Sequence, residues 1–181
     1  MPQQHFSRPT GQHNGQKAAY TNARLIDPES GLDEKGVLLT ENGKILDFGP
    51  QVQAPDGAEI IDCGGHVLCP GLLDIQVHFR EPGQEHKETI ETGSKSAAAG
   101  GVAHVACMPN TDPVIDDVSV VAFIHRRARE TAYVNVHTYA CVSKSMKGEQ
   151  LTEMGLLKET GAVGFTDLTS LLANWGLCED N

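Results

Sequence analysis

The chain has 181 residues, enough for one medium domain or for one small domain with part of a second. Hydrophobic residues make up 39% and charged residues 21%, the balance of a globular chain, and a formal net charge of −10 argues against nucleic acid or an anionic membrane as partner. No apolar run approaches the roughly 20 residues that span a bilayer, and the polar opening "MPQQHFSRPTGQHNGQ" lacks the apolar core of a secretory signal.

Residues 1–16 read as a disordered lead-in. From 17 to 69 the pattern is short strands and turns. "AAYTNARLID" alternates and stops at Asp27-Pro28. "GVLLTENGKILDFG" reads as strand, Asn42-Gly43 turn, strand, because both turn residues accept positive φ. "AEIIDCGGHVLCPG" adds a strand, a Gly64-Gly65 turn and a further strand. The expectation is a small β-meander.

After Pro70 the rhythm changes. "LLDIQVHF" is the apolar run expected of a strand buried on both faces. "HKETIETGSKSAAAGG" reads as a helix stopped by Gly100-Gly101, and "VAHVACM" as the next strand. "DDVSVVAFIHRRARETA" places Val118, Val121, Ile124 and Ala128 on one helical face. "YVNVHTYACV" is a strand, "GEQLTEMGLLKETG" a helix and "AVGFT" a strand. Units of roughly 30 residues in β-α order predict a parallel sheet with crossover helices. Half of a (β/α)8 barrel and a complete doubly wound sheet both fit that order. No Gly-rich phosphate turn follows the first strand, and a polar cluster stands there instead, which favours the barrel.

Catalytic groups of such barrels sit at the C-terminal strand ends. In order, those ends carry Gln76, His78 and Arg80, then Met108-Pro109-Asn110-Thr111, then Tyr139 and Ser143, then Thr166-Asp167. An imidazole, a guanidinium, a carboxamide and a carboxylate on one rim suit a metal-activated water and a carboxylate-bearing substrate. Taken singly, each has a plainer role. His78 caps a strand, Arg80 pairs with Glu81, Asn110 forms a turn, and Asp167 belongs to a loop. His125, beside Arg126 and Arg127, reads as a solvated helix residue, and His104 and His137 as packed strand residues. Five dispersed cysteines, at 63, 69, 107, 141 and 178, fit reduced thiols in a cytoplasmic protein, with no second pair to complete a zinc knuckle around Cys63 and Cys69.

"PGLLDIQVHFREPGQEHKETIETGSKSAAAGG", followed by "CMPNTDPVID" and "LLKETGAVGFTD", resembles the long bacterial dihydroorotases of the cyclic amidohydrolase superfamily. The resemblance runs from about Ala18 to Asp167. Related allantoinases and hydantoinases share the plan but do not typically combine the Arg of H-F-R-E-P-G with the Asn of M-P-N-T. The resemblance implies an α/β fold of the amidohydrolase type. A (β/α)8 TIM barrel, of which only the first half is present at 70–167, follows an N-terminal β-sandwich segment at 17–69. It further implies reversible hydrolysis of dihydroorotate to N-carbamoyl-aspartate in pyrimidine synthesis, through a zinc-bound hydroxide. Carried over by position, His78 is a first-strand zinc ligand, and Arg80 and Asn110 hold the substrate carboxylate.

Two departures bear on the metal. Gln76 stands where the family has His, and a carboxamide oxygen is a weaker, neutral ligand for zinc than imidazole. Leu168 stands where the family pattern T-D-D-G has its ligand Asp, and Asp167 replaces it only through a one-residue shift. The later ligand histidines and the catalytic Asp of the family have no counterpart before residue 181, so no catalytic residue is assigned. Residues 168–181 form a divergent tail, as after a frameshift. The expectation is a chain without tight zinc and without turnover by itself. It is either a fragment of the enzyme, a non-catalytic subunit that docks on another pyrimidine enzyme such as aspartate transcarbamoylase, or a non-functional truncated product. An open half-barrel is expected to form a homo-oligomer or to stay partner-bound.

Overall fold

Alternating apolar residues build the first strand, β1 (Lys17–Asp27), which buries Ala19, Ala23 and Leu25. The computed structural model describes residues 17–167. They fall into two units, one ending at Pro70 and the other beginning at Gly71. In the first unit β2 (Leu32–Glu41) runs antiparallel to β1 and forms a hairpin with β3 (Lys44–Gly49). Asn42 and Gly43 take φ of 51° and 74°, the positive pair that a tight two-residue hairpin turn requires. β4 (Glu59–Asp62) and β5 (Val67–Leu68) both pair with β1, in parallel. The strand order is β3-β2-β1-β4, so the expected meander is corrected. β1 is long enough to take β4 along Ala18–Thr21 and β5 along Arg24–Leu25, with the Gly64-Gly65 turn between them.

The second unit is a four-stranded parallel sheet in sequence order: β6 (Leu72–Val77), β7 (Val102–Cys107), β8 (Asn135–Ala140) and β9 (Gly164–Phe165). Helices α1 (Ile90–Ala99), α2 (Val118–Thr131) and α3 (Met154–Thr160) are the crossovers. α1 starts four residues later than the sequence suggests, because Thr89 and Thr92 close a reciprocal capping box there. Asp117 caps α2 by accepting the Ser119 N–H at 2.8 Å. α3 also starts late. The Lys144 N–H bonds to the Gln150 carbonyl and the Thr152 N–H to that of Val142, folding the preceding stretch into a loop.

Val105, Cys107, Val136 and Ala140 of the sheet meet Ile90 of α1, Val120, Val121 and Ile124 of α2, and Leu157 of α3. Val118 stays exposed and Val120 takes its place on the buried face of α2, within the width that a core-facing stripe spans. The fold is α/β, a half-barrel of parallel strands with a β-rich N-terminal part. β6 departs from the expectation of a strand buried on both faces. Leu73 and Ile75 are 60% and 62% exposed, and among the described residues only β7 pairs with this strand.

Candidate active site at the strand ends

The β6–β7 ladder continues past its strands through a 2.9 Å bond from the Met108 N–H to the Val77 carbonyl, which brings the two C-terminal loops side by side. His78 leaves β6 and Asn110 follows β7, and the His78 Nδ1 lies 2.9 Å from the Asn110 Oδ1. A carboxamide oxygen only accepts, so Nδ1 carries the proton and the lone pair of a neutral ring is on Nε2. Pro82 and Asp112 tie the same loops again, the Asp112 N–H donating to the Pro82 carbonyl at 3.1 Å. Gly83 has a φ of 97°, and a Cβ there would collide with the Asp112 carbonyl oxygen, so this close approach needs glycine.

Arg80 is half-buried with a left-handed φ of 51°. It makes no ion pair with any described residue, so the local pair with Glu81 read from the sequence is not formed. Glu81 is buried and turns the other way. Its Oε1 accepts from the Arg127 Nε of α2 at 2.7 Å, and its Oε2 accepts from the Ile90 N–H at the start of α1 at 2.8 Å. One carboxylate therefore fastens the loop after β6 to two helices and leaves the Arg80 guanidinium available to an anion. Sequence reading missed this role. The one signal for it is an acidic residue in a loop with a distant arginine, which is common to most chains.

Gln76 lies on the exposed edge strand, its backbone N–H bonded to Asp74 at 3.0 Å. Asp167 is buried, and its two oxygens accept from the consecutive backbone N–H groups of Val142 and Ser143, each at 2.9 Å. Among the described residues no group of three or more His, Cys, Asp or Glu stands close enough to hold a metal ion. His78 and Asn110 are brought together, and Asp167 forms no group of three such residues with His78 among the described residues. One imidazole falls short of the three protein ligands a catalytic zinc takes, so the described residues do not fit that ion. Leu168 lies outside the described residues. His125 is corrected from solvated to half-buried. It packs against Gly161, with Nε2 3.5 Å from the Thr138 hydroxyl, and burial and the Arg129 charge hold its pKa below the usual histidine value. Burial pushes the Cys107 and Cys141 thiols up to about 12, which leaves them poor nucleophiles. No helix of the described residues is long and apolar enough to cross a membrane.

The C-terminal ends of a parallel βα array thus carry His78, Arg80 and Asn110, with His78 and Asn110 in direct contact. Among solved structures, L-hydantoinase from Arthrobacter aurescens is similar with a TM-score of 0.70 at 25% identity, over 82% of this chain and 32% of that one. D-hydantoinase from a Thermus species is similar with a TM-score of 0.60 at 28% identity, over 78% and 30%. The family model described as Dihydro-orotase-like matches residues 65–180, and the chain belongs to that family. Curated relatives named dihydroorotase include one from Wolbachia sp. subsp. Drosophila simulans, 63% identical over 159 residues, and one from Ehrlichia chaffeensis, 58% identical over 161. Each match covers 87% of this chain, which spans 36% of the length of those relatives. A Geobacter relative of the same name is 50% identical over 144 residues.

Proposed function

We propose that this chain carries the carboxylate-anchoring part of a dihydroorotase site and does not turn substrate over by itself. The observation that carries the reading is the His78–Asn110 bond at 2.9 Å, with Arg80 two residues along the chain from His78 and neutralised by no described carboxylate. In this reading Arg80 grips the carboxylate of dihydroorotate or N-carbamoyl-aspartate as a two-pronged donor. Asn110 spends its oxygen on His78 and offers its NH2 to the same anion. The bond also fixes the His78 tautomer with Nε2 free, the form that a zinc ligand or a proton acceptor needs. Zinc would supply a hydroxide nucleophile near neutral pH. The described residues offer it one secure ligand, so no hydrolytic step is assigned to them, and Asp167 serves the backbone of residues 142–143. The setting of the reading is cytoplasmic pyrimidine synthesis.

The exposed edge strand that bears Gln76 in place of a ligand favours a second reading, a non-catalytic subunit docked on aspartate transcarbamoylase. The test pairs calorimetric titration of N-carbamoyl-aspartate with metal analysis and an assay of dihydroorotate hydrolysis. Weak binding that Arg80→Met and Asn110→Ala each reduce at least tenfold is expected, with no turnover and no tight zinc. Binding indifferent to both variants would defeat the anchoring role. Near one zinc per chain, lost in His78→Ala, would defeat the inactive reading.

A further inference from the structure

Arg80 and Glu81 set a cation and an anion side by side in the chain, and the structure keeps them apart. Arg80 stands between the buried residues Phe79 and Glu81, and its carbonyl accepts from the Gln84 N–H at 2.9 Å, which holds its backbone at the rim. The Glu81 carboxylate is buried and ion-paired with Arg127 of α2 at 2.7 Å. The Ile90 N–H occupies its second oxygen but brings no charge. Glu81 first, and then Glu130 and Glu91, hold the Arg127 pKa above the usual arginine value, so this guanidinium serves a group of carboxylates. The lysine of the same loop, Lys87, is exposed and donates to the Gln84 Oε1 at 2.9 Å.

A buried carboxylate persists only with a compensating charge and hydrogen bonds. Two guanidiniums compete for this one, Arg80 next to it in the chain and Arg127 46 residues on. We propose that Arg127 is a positioning residue that acts through Glu81: by claiming that carboxylate it keeps the neighbouring Arg80 guanidinium unneutralised and open to an anionic ligand. In this role, which rests on the carboxylate-anchoring reading of Arg80, Arg127 itself never touches the ligand. Without the Arg127 charge, Glu81 is left near Glu91 and Glu130 and has lost its counter-ion. Its carboxylate then turns outward to Arg80, and an internal ion pair fills the place of the ligand's carboxylate. Removing the Glu81 charge as well takes the competitor away. In Glu81→Gln a carboxamide oxygen still accepts the Ile90 N–H, with no charge to quench Arg80. The second change therefore repairs the first, whereas damage to packing would accumulate.

The test follows the rate at which phenylglyoxal modifies Arg80 in the whole chain without ligand, mapped by mass spectrometry, because a guanidinium held in an ion pair reacts more slowly. Arg127→Met should slow it about threefold, the scale of a partly exposed ion pair. Glu81→Gln, and Glu81→Gln combined with Arg127→Met, should both react at the native rate. Circular dichroism checks the fold, and Arg127→Gln replaces Arg127→Met if the latter unfolds. An unchanged or faster Arg80 in the single Arg127 variant overturns the proposal, as does slow modification that persists in the double variant. Added N-carbamoyl-aspartate should protect Arg80 in the native chain and in the double variant. The expected variant pattern without that protection upholds the role of Arg127 and removes only the anchoring reading.

Discussion

At the scale of single residues, position 76 and the histidines carry the sharpest consequences. Restoring the family's imidazole with Gln76→His adds one ligand to His78, and two are still short of a catalytic zinc site. We expect no metal-dependent hydrolysis of dihydroorotate from that variant, and turnover above background in a zinc-supplemented assay would refute this. His125 and His137 set a pH dependence. Both have pKa values held below the ordinary 6.5, His125 by burial first and then by the charges of Arg129 and His137, and His137 by burial and then by His104. Below 6.5 the unfolded chain binds more protons than the folded one, so stability rises with pH through this window and is lost as pH falls beneath it. The melting temperature should drop between pH 7.5 and pH 5.5, and His125→Gln should flatten that drop. An unchanged slope in the variant would exclude His125 as a source.

At the scale of elements, α2 holds the half-barrel's core together. Ile124 is fully buried between this helix and the sheet, and Ile124→Ala removes its contacts and leaves a cavity. A loss of about 2–5 kcal/mol in urea unfolding is expected. A loss under about 0.5 kcal/mol would mean that the core is not packed around this residue. Elements of this kind were legible in the sequence, because the signals are local: the Asn42-Gly43 turn between β2 and β3, and the Gly100-Gly101 stop after α1. What stayed hidden depends on distant partners. β4 joins β1 through pairs such as Ala18 with Glu59, and no local pattern says that it skips β3. Glu81 reaches Arg127, 46 residues on, although Arg80 is its chain neighbour. At the rim, strand-end position pointed to His78 and Asn110, while the hydrogen bond that couples them follows from the β6–β7 register alone.

At the scale of the whole molecule, the sheet of the second unit ends in β6 and β9, each paired on one side among the described residues. β6 exposes Leu72, Leu73 and Ile75, and its free edge presents backbone N–H and C=O groups to any further strand. We expect self-association, read as an elution volume below that of a 19.4 kDa monomer that falls further with concentration. A concentration-independent monomer with one sharp melting transition would contradict it. The Asp167 clasp has a consequence of another kind. Its carboxylate is seated on two successive backbone N–H groups as a small bound anion would be, so the chain supplies its own occupant to an anion-shaped seat. The covalent link should then be dispensable. In Asp167→Gly, added formate or acetate should take the vacated place and restore the melting temperature, while chloride at equal ionic strength should not. Equal recovery with chloride would reduce the clasp to general screening.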